Sequence, residues 1–187
     1  MKSMKRSLRW LLVLGALLLI AGVAVLGMRM AVQTVARPSE SMPKEYKALI
    51  LKSAKLCPQL PASILAAQIA TESGWDPKAV SGAGAEGIAQ FIPQTWKDYG
   101  YDANGDGTAD VFDPADAIPS AAKFMCGLFD ETSKVPGDPI NNALAAYNAG
   151  PSKVRKYGGI PPFPETQKYV ERIRARAATE AFASLDT

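Results

Sequence analysis

The sequence contains no histidine among its 187 residues. This absence excludes Ser-His-Asp and Cys-His catalysis, histidine-ligated zinc or haem, and any imidazole proton shuttle. If the protein is an enzyme that cleaves its substrate by acid and base chemistry, carboxylates, tyrosines or lysines must move the protons.

The chain also carries little net charge. Its formal charge at pH 7 is +3, which is too small to indicate a nucleic-acid partner. Four basic residues lie in the first nine positions, so the remainder is close to neutral: Lys2, Lys5, Arg6 and Arg9. We therefore expect no nucleic-acid binding.

Cysteine is scarce, with only Cys57 and Cys126 present. Their spacing matches no metal site. Two buried apolar thiols are one interpretation. A disulfide between two helices is the other, and an export signal at the N-terminus favours it.

That signal is one long uncharged run. Residues 10–28 read WLLVLGALLLIAGVAVLGM, and about 20 apolar residues span the hydrocarbon of a bilayer. The basic residues before it predict that the N-terminus stays in the cytoplasm. A cleaved signal peptide is the alternative, but the run is long for one and Thr34-Val35-Ala36 is a mediocre cleavage site. The predicted organisation is a cytoplasmic basic segment at 1–9, a transmembrane signal anchor at 10–28, a stalk at 29–42 and an extracytoplasmic folded domain at 43–187.

Helix signals dominate beyond the stalk. Prolines, several preceded by a capping residue, mark the predicted helix starts, and few segments alternate with period two. Ser41 is predicted to cap the first helix, and Gly150-Pro151 to end the fifth. The starts are expected at Pro43, Pro61, Pro93, Asp113-Pro114, Asp138-Pro139 and Pro164, and the last helix is expected to continue through Phe182. The sequence therefore predicts an all-α domain.

Glu72 stands at the end of an apolar helix face. Ile64, Leu65, Gln68, Ile69 and Glu72 fall at spacings of three and four, so they share a face that we expect to point at the core. Burial raises the pKa of a carboxyl group. A raised pKa suits an acid that protonates a leaving oxygen near neutral pH. On spacing alone, a solvent-facing glutamate is the alternative.

The residues around Glu72 belong to an ordered set of motifs. Residues 66–96 read AAQIATESGWDPKAVSGAGAEGIAQFIPQTW, residues 146–151 read AYNAGP, and residues 165–170 read ETQKYV. These blocks closely resemble, in order, those of the soluble-lytic-transglycosylase (SLT) domain, a goose-lysozyme-like family that acts on bacterial cell walls. The resemblance spans about residues 44–175. It implies a lysozyme-like fold and peptidoglycan as substrate.

The resemblance also implies residue roles near the scissile bond. Glu72 matches the catalytic acid and base of the family's Glu-Ser pair. Ser73 matches the serine near the reacting sugar, and Tyr169 a tyrosine whose hydroxyl lies near the catalytic carboxylate. An ordinary core aromatic is the alternative for Tyr169.

Three further residues match positions that line the family's sugar groove. They are Gln90 of the Gly-x-x-Gln segment, and Tyr147 and Asn148 of the Tyr-Asn-Ala-Gly segment. Ala89 is a departure, because many members have methionine before the glutamine. The resemblance therefore does not determine the local shape of the groove at this position.

A single carboxyl group suffices in the mechanism that the resemblance implies. Glu72 protonates the β-1,4 oxygen between N-acetylmuramic acid and N-acetylglucosamine, and the N-acetyl group of the substrate stabilises the cationic centre. Glu72 then removes the proton of the sugar's C6 hydroxyl, which closes a 1,6-anhydro ring. Asp76 is the alternative second carboxylate, but Asp76-Pro77 is typical of a turn.

A second motif occupies residues 102–113, which follow the EF-hand loop spacing. The expected ligands of a structural calcium ion are Asp102, Asn104, Asp106, Thr108, Asp110 and Asp113. We predict a cation because grouped carboxylates repel one another without one. An Asx-rich surface turn is the alternative.

Two other functions stay open at this level. One is lysozyme-type hydrolysis of the same bond, and the other is a non-catalytic module that binds the cell wall. The resemblance implies no catalytic cofactor. We expect a monomer whose partners are glycan strands and, through the N-terminal helix, the membrane.

Overall fold

The computed structural model describes residues 41–187. This part of the chain consists of helices joined by loops, with isolated β-bridges that pair Glu86 with Val80 and with Phe91. The helices are α1 (Lys44–Ala54), α2 (Ala62–Glu72), α3 (Pro93–Tyr99), α4 (Pro114–Glu131), α5 (Pro139–Ala149), α6 (Pro151–Tyr157), α7 (Pro164–Ala177) and α8 (Glu180–Ala183). The predicted all-α class is confirmed for these residues.

The predictions for the N-terminus lie outside the described residues. They concern the basic segment at 1–9, the anchor at 10–28 and all but the last residues of the stalk at 29–42. Within residues 41–187, no helix has the length and apolar character that crossing a membrane requires.

Proline and aspartate position the helix starts as predicted, with one exception. The Asp113 carboxylate accepts the Ala115 N–H and caps α4, and Asp138 caps α5 in the same way. The prediction that Ser41 caps α1 is wrong. Pro43 is the N-cap residue there, and no side chain bonds the first turn.

Two helix ends differ from the sequence prediction. Gly150 ends α5 with φ +88°, but the chain continues directly into α6 at Pro151. The predicted last helix is divided, because α7 ends at Ala177 and Thr179 begins the turn into α8.

Helix α2 lies at the centre of the domain. It packs against α1, α7 and α8, and every residue from Ala62 to Ala70 is buried. The prediction of a single core-facing side was therefore incomplete, since neighbouring helices cover α2 all round. Glu72 is the point where this buried helix reaches the surface.

A disulfide between Cys57 and Cys126 joins the loop before α2 to the middle of α4. It confirms the disulfide prediction. The bridge fixes α4 against the α1–α2 segment, and α1 and α4 also pack directly on each other.

Candidate active site

The Glu72 carboxyl group is the chemical centre of the site. It is partly accessible at the C-terminal end of α2, and the Tyr169 hydroxyl donates a hydrogen bond of 2.5 Å to its Oε1 atom. Burial raises the pKa of Glu72 to about 7, against the smaller lowering effect of the Tyr169 hydrogen bond. Glu72 can therefore exchange a proton near neutral pH.

Two tyrosines lie close to this carboxyl group. Burial, together with the nearby Glu72, holds the pKa values of Tyr147 and Tyr169 well above the usual value of 10. Both phenols therefore stay protonated at neutral pH and act as hydrogen-bond donors. Tyr169 donates to Glu72, and Tyr147 donates to the carbonyl oxygen of Ala89 at 2.8 Å.

The Gln90 segment is a tight loop that packs against the acidic loop, residues 102–113, which precedes α4. Gln90 has φ +51°, and its Nε2 atom donates to the carbonyl oxygens of Gly87 and Ala79. Gly87 has φ +73°, and a Cβ atom there would lie 2.0 Å from the Val111 carbonyl oxygen. Glycine is therefore required at position 87 both by conformation and by space.

Asn148 is fixed at the end of α5. The Thr166 hydroxyl, at the start of α7, donates to its Oδ1 atom at 2.7 Å. Thr166 is buried, so this bond orients the Asn148 amide from the protein interior. The NH₂ group of Asn148 is left to donate to another acceptor.

Asn148 also joins two cavities into one groove. The first cavity is lined by Gln90, Phe91, Tyr147, Asn148 and neighbouring residues of α3 to α6. The second holds Glu72 and Tyr169, with Asn148, Lys168 and Arg172 around them. Five of the six residues predicted for catalysis and substrate binding thus line one groove: Glu72, Gln90, Tyr147, Asn148 and Tyr169.

Ser73 and Asp76 are placed differently. The Ser73 hydroxyl donates to the Ile88 carbonyl oxygen at 2.8 Å, which ties the end of α2 to the Gln90 loop, and Ser73 lines neither cavity. Asp76 accepts the Lys78 N–H at 2.9 Å, as expected of a turn residue. Contact of Ser73 with a sugar stays a prediction.

Sequence reasoning assigned no role at the site to Gln68. Gln68 was assigned only to the apolar face, yet its amide is completely buried one turn before Glu72. It lies close enough to the Tyr169 hydroxyl to lower the pKa of that phenol, although neither amide atom completes a hydrogen bond of normal geometry within residues 41–187. Its spacing of four from Glu72 was the signal that could have identified it.

The predicted calcium loop folds around its own side chains. Backbone N–H groups of Gly107, Gly105 and Asp106 donate to Asp102 and hold the pKa of its carboxyl below the usual value. Asn104 Nδ2 donates to Asp106 at 3.1 Å and to Asp113 at 2.9 Å. In the described part of the chain, no group of three or more acidic or cysteine side chains is arranged to hold a metal ion.

A buried carboxylate that the sequence prediction overlooked supports this loop from behind. Asp116 has no exposed surface, and it accepts the N–H groups of Ala103, Asn104 and Asp110. The loop is therefore ordered by carboxylate-to-backbone bonds within the protein.

The groove is suited to acid-catalysed cleavage of a long polar polymer. It is open, it presents amide and hydroxyl groups along its length, and it holds one carboxyl group with a pKa near 7. Among residues 41–187, the only other acid in the cavity of Glu72 is Glu165, an exposed residue in the first turn of α7.

The chain resembles known proteins over most of the described domain. Residues 50–170 match the transglycosylase SLT domain family. The soluble lytic murein transglycosylase of Escherichia coli (strain K12) is 30% identical over 161 residues, which cover 73% of this chain and 23% of the relative. The membrane-bound lytic murein transglycosylase D of the same strain is 33% identical over 119 residues, which cover 56% of this chain and 25% of the relative.

Solved structures agree with these relatives. The crystal structure of the 70 kDa soluble lytic transglycosylase from Escherichia coli superposes with a TM-score of 0.58 at 26% identity, covering 76% of this chain and 26% of that chain. An inactive mutant of the lytic transglycosylase Slt from Pseudomonas aeruginosa gives 0.57 at 28% identity, covering 72% and 24%. The chain thus spans about a quarter of the length of these relatives.

Proposed function

This chain belongs to the transglycosylase SLT domain family, and we propose that it is a peptidoglycan lytic transglycosylase. The proposed reaction cleaves the β-1,4 bond between N-acetylmuramic acid and N-acetylglucosamine and forms a 1,6-anhydromuramoyl end. Glu72 serves as the only acid and base, and no cofactor takes part.

The environment of Glu72 is the observation that carries this proposal. A carboxyl group with a pKa of about 7 is substantially protonated at neutral pH, so it can donate to a glycosidic oxygen and later accept a proton. The Tyr169 hydroxyl holds one of its oxygen atoms. The other oxygen atom is therefore the one that we assign to the proton transfers.

The groove residues supply substrate contacts in this mechanism. Asn148 lines the cavity of the acid and, together with Gln90, the adjoining cavity. Hydrogen bonds from such amide groups position the N-acetyl and hydroxyl groups of the sugars. The substrate's own N-acetyl oxygen stabilises the cationic C1 centre. Ionised Glu72 then takes the C6 hydroxyl proton as O6 bonds to C1, so no water is consumed.

Product analysis of wild type beside Glu72→Gln tests the proposal. Wild-type protein with purified peptidoglycan is expected to release products with anhydro ends, which mass spectrometry identifies because they are lighter by one water than reducing ends. Glu72→Gln should lose at least a thousandfold in rate while still binding strands. The matched control is Glu171→Gln, an exposed acid on α7 outside the cavity.

The same spectra separate the competing functions. Reducing ends from wild type would assign lysozyme-type hydrolysis. Binding without any product would assign a non-catalytic wall-binding module. Near wild-type release by Glu72→Gln would remove Glu72 from its role.

We further propose that the domain works outside the cytoplasm, attached to the membrane by residues 10–28. The disulfide supports this location, because structural disulfides form and persist in oxidising compartments. The basic residues of segment 1–9 before an apolar run favour the same orientation.

Calcium binding by residues 102–113 remains a proposal. It rests on the EF-hand spacing of the sequence alone, because the Asn104 amide already bonds Asp106 and Asp113. A chelator is expected to lower the melting temperature of wild type and to leave Asp106→Asn/Asp113→Asn unchanged. An identical melting temperature of wild type with and without chelator would argue against a bound ion.

A further inference from the structure

The groove continues past Glu72 along one side of α7. The cavity that holds Glu72 includes Lys168 and Arg172, and the adjoining cavity includes Arg172 and Arg176. These three cations follow one another at spacings of four, so they lie on one helix face. Three neighbouring cavities, each sharing one lining residue with the next, therefore extend from Gln90, past the acid, to a basic stripe defined as Lys168, Arg172 and Arg176.

Two of these cations have no acidic partner in the described part of the chain. Lys168 and Arg172 are exposed, and neither forms an ion pair there, whereas Arg155 and Arg174 are paired with Glu131 and Asp138. The guanidinium of Arg176 donates to the Thr71 hydroxyl at 3.0 Å, next to Glu72 in the sequence. Arg176 thus fixes the far end of the stripe to α2.

The positive charge of the stripe is not used to tune the catalytic group. A cation close to a carboxyl group lowers its pKa, but burial and the Tyr169 hydrogen bond account for the pKa of Glu72. Neither Lys168 nor Arg172 is among the causes of that pKa, although both line the same cavity. Glu165 is the carboxylate that shares this cavity with them.

Resting on the proposed function, we propose that Lys168 and Arg172 bind carboxylates of the peptide stem carried by the muramic acid residues. The glycan of the strand is neutral apart from this substituent, because the lactyl carboxyl group is consumed in the amide bond to the peptide. The anionic groups of the substrate are thus the carboxylates of the peptide. A basic stripe beside the scissile bond therefore favours peptide-bearing strands over naked strands.

Binding measurements on the Glu72→Gln protein test this assignment without turnover. The probes are labelled peptide-bearing strands, strands stripped of peptides by an amidase, and peptide-bearing strands whose carboxylates are converted to amides. Two charge-assisted contacts at an exposed site are expected to give the first probe about tenfold tighter binding than the other two. Lys168→Gln/Arg172→Gln in the same background should reduce this ratio to about one.

The matched control is Lys55→Gln/Lys153→Gln in the same background, which removes two exposed cations that line none of the three cavities. It should keep the tenfold ratio. Equal affinity for the three probes, or equal loss of the ratio in the control pair, would overturn the proposal. Failure of the proposed function shows separately, as absence of anhydro products from wild type.

Discussion

At Glu72, the burial that suits the group to proton transfer also lowers the stability of the folded protein. Its carboxyl group is desolvated at the end of a buried helix, so ionisation of the folded protein costs free energy. The apolar surroundings that raise its pKa thus keep the group able to donate a proton near pH 7. They also lower the stability of the folded protein when the group is ionised.

Glu72→Gln should therefore stabilise the protein in a pH-dependent manner. Because the folded pKa of about 7 exceeds the ordinary 4.5, the stability associated with protonated Glu72 is fully present below pH 4.5 and is lost as pH rises through 7. Glutamine avoids that loss, which amounts to up to about 3 kcal/mol. Urea unfolding should show the variant more stable than wild type at pH 8 and nearly equal at pH 4, with Glu171→Gln within about 0.5 kcal/mol at both.

Gln68 offers a second test at this scale. A buried amide without complete hydrogen bonds costs about 1–3 kcal/mol, and methionine has nearly the same shape. Gln68→Met is expected to raise the melting temperature and to lower kcat/KM, because the amide no longer faces the Tyr169 hydroxyl. A lower melting temperature would mean that the amide is well bonded in the folded protein.

The sequence predicted the candidate catalytic residues, but it did not predict the residues that orient them. The motif blocks imply roles for Glu72 and Tyr169. Thr166 stands in the same block as Tyr169, but its bond to Asn148 Oδ1 was not predicted. Asp116 lies outside the blocks and bonds the backbone of residues 103–110. Those partners become visible only once the helices are packed.

At the scale of elements, the Gln90 loop is the most demanding segment. Gly87→Ala would place a Cβ atom 2.0 Å from the Val111 carbonyl oxygen at φ +73°, and we expect a loss of more than about 2 kcal/mol in unfolding free energy with loss of activity. Gly84 has φ +80°, but a Cβ atom there would lie in open space, so Gly84→Ala should cost about 1 kcal/mol of unfolding free energy. Gly82→Ala meets neither restriction, because Gly82 has neither a positive φ nor a close neighbour at its Cβ position. Equal stability of the three variants would contradict this view of the loop.

The helix starts could be predicted from the local sequence, but the burial of each helix face could not. Pro93, Pro114, Pro139 and Pro164 begin helices because their fixed φ suits a first turn. The α5–α6 junction escaped prediction because Gly150-Pro151 can both end one helix and start the next. Complete burial of α2 depends on α7 and α8, which arrive about a hundred residues later in the sequence.

At the scale of the whole molecule, the described residues 41–187 form one compact unit. A chain beginning at Ser39 is therefore expected to fold and to keep the activity on isolated peptidoglycan. If residues 10–28 are the anchor, the full chain should sediment with membranes and the shortened chain should not. Sedimentation of both, or of neither, would contradict the proposed anchor.

The Cys57–Cys126 bridge closes a covalent ring that contains Glu72, Gln90 and the whole acidic loop, while Tyr147 and Tyr169 lie outside it. A protease that nicks the exposed turn at residues 104–110 would cut this ring without releasing a fragment. The nicked protein should run as one band on a non-reducing gel and as two bands after reduction. If the domain works outside the cytoplasm, as proposed, the bridge would keep Glu72 and the two tyrosines in one molecule after a proteolytic cut.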